Sequence, residues 1–144
     1  TALHAPPDVR AERRTRAEQI LATTGETLWV DADPLLDVVT AVSGSGPAYF
    51  FLLMEALEAA GRAQGLPADV ARRLAVVTAQ GAGAMAATLD ASPAQLREQV
   101  TSRGGTTAAA LAVLDAADLR GIFSAAVAAA TRRAAELAAQ PGAR

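Results

Sequence analysis

The feature that most restricts the fold is a run of large apolar residues inside a long helical pattern. Pro47 opens this pattern, and Phe50-Phe51-Leu52-Leu53-Met54 follow without a polar residue. A surface helix buries a single apolar stripe, so this run must be covered on several faces. Glu55 and Glu58 interrupt it before about 20 apolar residues accumulate, which disfavours a membrane span. Burial against a second copy of the chain explains the run better.

Alanine-rich helical patterns continue along almost the whole chain. Glycines, prolines and cap residues predict helices over 9–24, 33–42, 47–65, 67–89, 92–102, 106–116 and 119–138. The single extended piece is Thr27-Leu28-Trp29-Val30, and Gly81 and Gly83 let helices approach closely. One apolar stripe on the fourth helix consists of Val70, Leu74, Val77, Met85 and Leu89. The prediction is one all-α domain over 1–144, with about six to seven helices and flexible ends at 1–8 and 139–144.

The first helix is rich in arginine. Glu12 and Glu18 lie on the same helix, so we interpret its basic residues as a solvated face, not as a site for an acidic partner. These basic residues are Arg10, Arg13, Arg14 and Arg16. Trp29 is predicted to pack under the extended piece.

The segment Val100-Thr101-Ser102-Arg103-Gly104-Gly105-Thr106-Thr107 lies between two of the helical patterns. Its glycines allow a tight turn that exposes backbone N–H groups, and its threonines open the next helix. A helix N-terminus with bare amides and hydroxyls suits a small anion such as a carboxylate. The simpler interpretation is that Gly104-Gly105 ends one helix and Thr106 caps the next. On local sequence alone, the simpler interpretation is favoured.

A second segment, Ser43-Gly44-Ser45-Gly46-Pro47-Ala48-Tyr49, changes that balance by its order relative to the first. Together the two segments resemble the C-terminal domain of the pyrroline-5-carboxylate reductase family, over residues from about 9 to about 137. One position departs from the family pattern, because the family usually has proline where this chain has Arg103. That change affects the stiffness of the loop and leaves its glycines and threonines in place.

The resemblance implies a fold, an activity and a site. The fold is an intertwined homodimer of helices, and such dimers often assemble further. The activity is hydride transfer from NADPH or NADH to the C=N carbon of 1-pyrroline-5-carboxylate, which gives L-proline in the last step of cytoplasmic proline biosynthesis. The Thr107 hydroxyl contacts the ring nitrogen as the catalytic group. The predicted substrate-binding residues are Ser102, Gly104, Gly105, Thr106 and Thr107, with the last three holding the substrate carboxylate through their amides.

The residues Ser43, Gly44, Ser45 and Gly46 admit two interpretations. In the first they line the pocket near the nicotinamide. In the second the glycines only permit a tight turn, while Pro47 starts the next helix. Both interpretations stay open.

Composition disfavours several classes of function. The formal net charge of -2 argues against a general nucleic-acid binder. The chain has no cysteine and no lysine, which removes disulfides, thiolate metal sites and Schiff-base catalysis. The single histidine, His4, lies at the start of the chain, where we expect a disordered terminus. Neither a metal site nor a Ser-His-Asp triad is therefore predicted.

A dinucleotide-binding fingerprint is also missing from the sequence. Gly44-Ser45-Gly46 lacks the third glycine, and Gly81-Ala82-Gly83 lies inside a helical pattern. The main coenzyme site is therefore expected outside these residues, in an N-terminal domain without which this fragment is inactive. The alternative is a purely structural helical dimerisation module with no ligand site of its own.

Overall fold

The computed structural model describes residues 1–140. Within them the chain forms seven α-helices, one π-helical turn and two short strands, so the all-α prediction is confirmed. The elements are β1 (Ala2–Leu3), α1 (Ala11–Ala22), β2 (Leu28–Trp29), α2 (Leu35–Val39), the π turn (Thr40–Gly44), α3 (Gly46–Ala63), α4 (Ala68–Thr88), α5 (Pro93–Gln99), α6 (Thr106–Ala116) and α7 (Leu119–Ala138). The predicted flexible end over 139–144 follows α7, and its residues 141–144 lie outside the described residues.

The chain divides into two compact units. The first consists of Thr1–Gly46 and the chain from Phe123 onward, and the second is Pro47–Ile122. In the first unit β1 and β2 pair in parallel, with Ala2 opposite Leu28 and Leu3 opposite Trp29. The prediction that 27–30 is the only extended piece is therefore wrong. An isolated extended segment leaves its backbone groups unpaired, and β1 supplies the partners that β2 needs.

The start of the chain is held by this strand pair. The Val30 amide donates to the Leu3 carbonyl at 2.8 Å, and His4 Nδ1 lies 3.1 Å from the Val30 carbonyl oxygen. The structure places Ala2–Leu3 in a strand and His4 beside it, where the sequence suggested a flexible end. The reason is a long-range backbone ladder, which local composition does not reveal.

One arginine of α1, exposed like the others, also packs on an aromatic ring. The Arg14 guanidinium lies 4.4 Å from the centre of the half-buried Trp29 ring. A guanidinium over an indole face is held by the ring quadrupole and shields apolar ring surface. Arg10, Arg13, Arg14 and Arg16 are all exposed, as predicted.

The predicted tight turn at Ser43-Gly44-Ser45-Gly46 is wrong, because a π-helical turn leads from α2 into α3. The Ser45 amide donates to the Thr40 carbonyl at 2.8 Å, and neither Gly44 nor Gly46 has a positive φ. Pro47 has no N–H to donate to the preceding turn. In the π turn each amide bonds to the carbonyl five residues back, and not four. The backbone therefore stays helical from α2 into α3 although the Pro47 donor is missing.

In the second unit α3 and α4 approach each other at small residues. A Cβ placed on Gly61 would lie 3.4 Å from the Ala71 Cβ, and Ala71 and Ala75 are buried. The two helices lie so close here that only small side chains fit between them. The larger residues of the predicted apolar stripe on α4 stay 40 to 52% exposed within the chain, namely Val70, Leu74, Val77, Met85 and Leu89.

Defined caps begin α5 and α7. Ser92 Oγ accepts from the Gln95 amide at 3.3 Å, while Gln95 Oε1 accepts from the Ser92 amide at 2.8 Å. This reciprocal pair is a capping box. Before α7, Asp118 has a φ of 51°, and its carboxylate accepts from the Gly121 amide at 3.2 Å. α6 and α7 begin and end at the predicted residues, whereas α5 ends at Gln99 and not at Ser102.

The apolar run of α3 is not covered by the chain itself. Phe50, Phe51, Leu52 and Leu53 are 62, 61, 65 and 49% exposed. Within the described residues one helical stretch, Leu35–Ala63, is long and apolar enough to cross a membrane by length and composition alone. Its mean hydropathy is 1.3. Core helices of soluble proteins pass the same criterion. The run that was predicted to be covered on several faces is therefore largely uncovered within the described residues.

Candidate functional site: the glycine and threonine loop before α6

The loop that leads into α6 makes its sharp turn at Gly104. Gly104 has a φ of 71°, in the left-handed region that glycine enters without a steric penalty. Gly105 follows with a φ of -81° and is the N-cap of α6. The prediction that Thr106 caps this helix is therefore wrong, because Thr106 is already its first helical residue.

Ser102 lies directly over Gly105. The Gly105 amide donates to the Ser102 carbonyl at 3.1 Å, and a side chain at position 105 would collide with Ser102 Oγ. Glycine is needed at this position because it lets the serine approach the backbone. The Gly105 amide is engaged in this turn, so it reaches a ligand only when the turn opens.

The first turn of α6 keeps its backbone donors. No side chain caps α6, and the first amides of a helix have no partner within it. The amides of Thr106, Thr107 and Ala108 therefore point toward the loop at the positive end of the helix dipole. Ala108 is a donor that our sequence interpretation missed. The sequence could have revealed it, because the first residues of any helix keep their amides unpaired.

Three hydroxyl groups lie at the same place. Ser102 and Thr106 are exposed and Thr107 is half-buried, and within residues 1–140 none of the three side-chain hydroxyls makes a hydrogen bond. Two threonines near helix C-termini differ from these three. Thr101 donates to the Arg97 carbonyl at 2.6 Å, and Thr88 donates to the Ala84 carbonyl at 2.8 Å. Because Thr107 opens a helix, it has no carbonyl of a preceding helical turn to bind, and its hydroxyl stays available.

The loop therefore brings Ser102, Gly104, Gly105, Thr106 and Thr107 together, as the sequence placed them. It combines backbone N–H donors, three hydroxyls and a positive helix end, an arrangement suited to a carboxylate. Arg103 is exposed beside it. Among residues 1–140 no group of three or more His, Asp or Glu side chains could hold a metal ion.

The second predicted set lies in the other unit. Ser43 lines an apolar groove of about 410 Å³ beside Leu28, Val38 and Val42, while its hydroxyl donates to the Val39 carbonyl at 3.0 Å. Gly44, Ser45 and Gly46 are not among the lining residues. Gly46 is buried at the start of α3. Of these four residues, Ser43 lines this groove and the other three do not.

The fold and the loop define a class of protein. It is a helical domain with a large uncovered apolar surface and, at one helix N-terminus, a loop suited to bind a carboxylate. A family described as pyrroline-5-carboxylate reductase dimerisation matches residues 33–137. The chain belongs to this family.

Relatives and solved structures agree with this assignment. The chain is 46% identical over 140 residues to a pyrroline-5-carboxylate reductase of Pseudomonas aeruginosa, covering 97% of the chain and 51% of the relative. The structure of such a reductase from Coxiella burnetii matches 94% of the chain and 50% of its own, at 41% identity and a TM-score of 0.88. The Plasmodium falciparum reductase, solved with NADP bound, matches 92% of the chain and 51% of its own, at 27% identity and a TM-score of 0.78. The chain thus spans about half the length of the curated relatives it matches.

Proposed function

We propose that the chain is the C-terminal half of an NAD(P)H-dependent reductase that converts 1-pyrroline-5-carboxylate to L-proline in the cytoplasm. The family and the names of its relatives support this activity. The observation that carries it is the uncapped N-terminus of α6, which offers amides and hydroxyls together within the matched region. The substrate is a small anion. A nucleic acid is not the partner that we propose, because the net charge of the chain is -2.

The substrate carboxylate binds at the first turn of α6. The amides of Thr106 and Thr107 donate to it, Ala108 supplies a third donor, and Gly105 joins when its bond to Ser102 opens. Ser102 adds a hydroxyl donor from the loop. The positive end of the helix dipole lowers the energy of a carboxylate at this position.

Thr107 orients the ring of the substrate. Its hydroxyl is half-buried and unpaired in the first turn, next to the amides that hold the carboxylate. From there it contacts the ring nitrogen, which lies close to the carboxylate in a five-membered imine. It holds a proton at that nitrogen, or donates one when the imine arrives unprotonated.

The coenzyme, NADPH or NADH, binds mainly outside these residues. Three glycine pairs are closely spaced, in the π turn with the start of α3, within α4 and before α6, and none of them opens a helix after a strand. The described residues therefore carry no dinucleotide fingerprint, and the chain's proposed contribution is the substrate site. On this proposal the 144 residues alone do not complete the reaction.

The apolar surface of α3 is covered by a second copy of the chain, in a homodimer that can assemble further. The family is a dimerisation family, and four neighbouring large side chains on α3 are 49 to 65% exposed. Burying large apolar side chains such as these against a partner stabilises a dimer. A second copy, and not a membrane, is the partner that we propose for this surface.

Proline titration of the nitrogen-labelled chain tests the substrate site, with the amide NMR signals of Gly104 to Thr107 as the readout. We expect saturable shifts confined to this loop. Thr107→Ala should bind proline about tenfold more weakly, because one hydrogen bond to a charged or polar ligand group is worth about 1.4 kcal/mol. Thr88→Ala is the matched control, since the Thr88 hydroxyl already donates to the Ala84 carbonyl on α4.

A folded chain whose loop signals do not respond to proline would overturn the substrate site. Equal affinity in parent and Thr107→Ala would remove the role of Thr107. The first result would favour the alternative, a purely structural dimerisation module.

A further inference from the structure

The second unit carries two adjoining surfaces of opposite charge. The first, which we call the acidic groove, has a volume of about 290 Å³ between α3 and α4 and contains Phe51, Met54, Glu55, Glu58, Arg72 and Val76. The second, which we call the basic face, lies on α4 and contains Asp69, Arg72, Arg73, Val76 and Val77. The groove has two carboxylates for one guanidinium, and the face has two guanidiniums for one carboxylate.

The carboxylates of the acidic groove have no ion-pair partner within the part of the chain that the structure describes. The ion pairs found there join Arg120 to Asp115 and Arg133 to Glu136. Glu58 is nevertheless half-buried. A carboxylate that loses further solvent needs a cation, so covering this groove with an apolar surface alone would be costly.

The two surfaces share Arg72 and Val76, so they meet along one line on α4. A two-fold contact brings the same patch of two copies together, and each half of the patch then faces the other half. A patch that is acidic on one side and basic on the other is complementary to its own copy in this arrangement. The apolar floor of the groove suits the aliphatic stem of an arginine.

We propose that two copies of the chain meet through these surfaces, with the acidic groove of one copy against the basic face of the other. Arg73 then reaches Glu55 and Glu58 across the contact, twice per dimer. A free cation would not explain the exposed apolar side chains beside both surfaces, of which Phe51 is 61% and Val77 52% exposed. The inference rests on the proposed homodimer and specifies its surface and register.

Charge reversal tests the contact. We expect Glu55→Arg with Glu58→Arg to raise the dimer dissociation constant at least roughly tenfold at low salt, because like charges then face each other. Adding Arg73→Glu to the same chain restores opposite charges and should bring the constant to within about threefold of the parent. Fluorescence-detected sedimentation of the full chain measures all three proteins.

The control reverses two carboxylates on α1, Glu12→Arg with Glu18→Arg, and changes the net charge equally. It should leave the dissociation constant unchanged. If the arginine variants do not fold, Glu55→Gln with Glu58→Gln decides, since it should still weaken the dimer and reduce its salt dependence.

A parent dimer that is insensitive to these changes, or a reversal that Arg73→Glu does not restore, would overturn this contact while leaving the homodimer in place. A parent that stays monomeric at high concentration would overturn both.

Discussion

Replacing Gly104 by alanine should destabilise the chain by an amount set by backbone conformation alone. Gly104 has a φ of 71°, and a Cβ placed there meets no atom within 4 Å. No steric clash therefore adds to the cost of the left-handed conformation, which is about 1–2 kcal/mol for an L-residue. We expect Gly104→Ala to lower the free energy of unfolding by this amount and Gly104→Asn by less, because asparagine enters this region more readily.

The neighbouring glycine should behave differently. Gly105 has an ordinary φ, but a Cβ there would collide with Ser102 Oγ and lie 3.2 Å from the Ser102 carbonyl oxygen. Gly105→Ala should therefore become less destabilising when Ser102→Gly removes the hydroxyl, whereas Gly104→Ala should cost the same in both backgrounds. Such a difference between the two cycles separates contact from conformation.

Urea unfolding at one fixed protein concentration, followed by far-UV circular dichroism, measures both effects. A fixed concentration is needed because association contributes to apparent stability. The reasoning would be refuted if Gly104→Ala were neutral, or if Gly104→Asn cost as much as Gly104→Ala.

Three further substitutions test other parts of the structure. Ser92→Ala removes the capping box with Gln95 and should lower the free energy of urea unfolding by about 1 kcal/mol, with no loss expected if the box does not form in solution. Arg14→Gln removes the guanidinium from the Trp29 ring and should alter Trp29 fluorescence while costing no more than about 1 kcal/mol, and an unchanged emission spectrum would contradict the stacking. Gly83→Ala should raise the free energy of unfolding by about 1 kcal/mol, because alanine favours the helix and a Cβ placed at Gly83 meets no atom of the chain within 4 Å. A weaker dimer in sedimentation would instead show that α4 approaches the second copy at that glycine.

The helices could be predicted where local chemistry marks both ends. α6 begins after Gly104-Gly105 and α7 follows the Asp118 cap, and both match the predicted bounds. β1 could not be predicted, because two residues carry no periodicity and their strand forms only by pairing with Leu28–Trp29. The π turn was also missed. Gly44 and Gly46 suggest a break, but the helical path accommodates both the glycines and Pro47.

The candidate site was predictable in position and not in detail. Its residues are contiguous, so the order Ser102 to Thr107 placed them together without knowledge of the tertiary fold. The N-cap at Gly105 and the bond from its amide to Ser102 depend on backbone angles that a sequence does not reveal. The buried residues of α4 were also unpredictable. Large residues stay exposed in the single chain while Ala71 and Ala75 are covered.

The strand pair at the start of the chain gives it a second route to self-association, independent of the helices. In the described residues β1 and β2 form a sheet of two strands only, so each keeps one side of its backbone unpaired. Such a side accepts any extended segment, including one from a misfolded copy, and seeds aggregates. Solubility of the 144-residue chain should therefore respond to Thr27→Pro, directly before β2, even where dimer affinity does not.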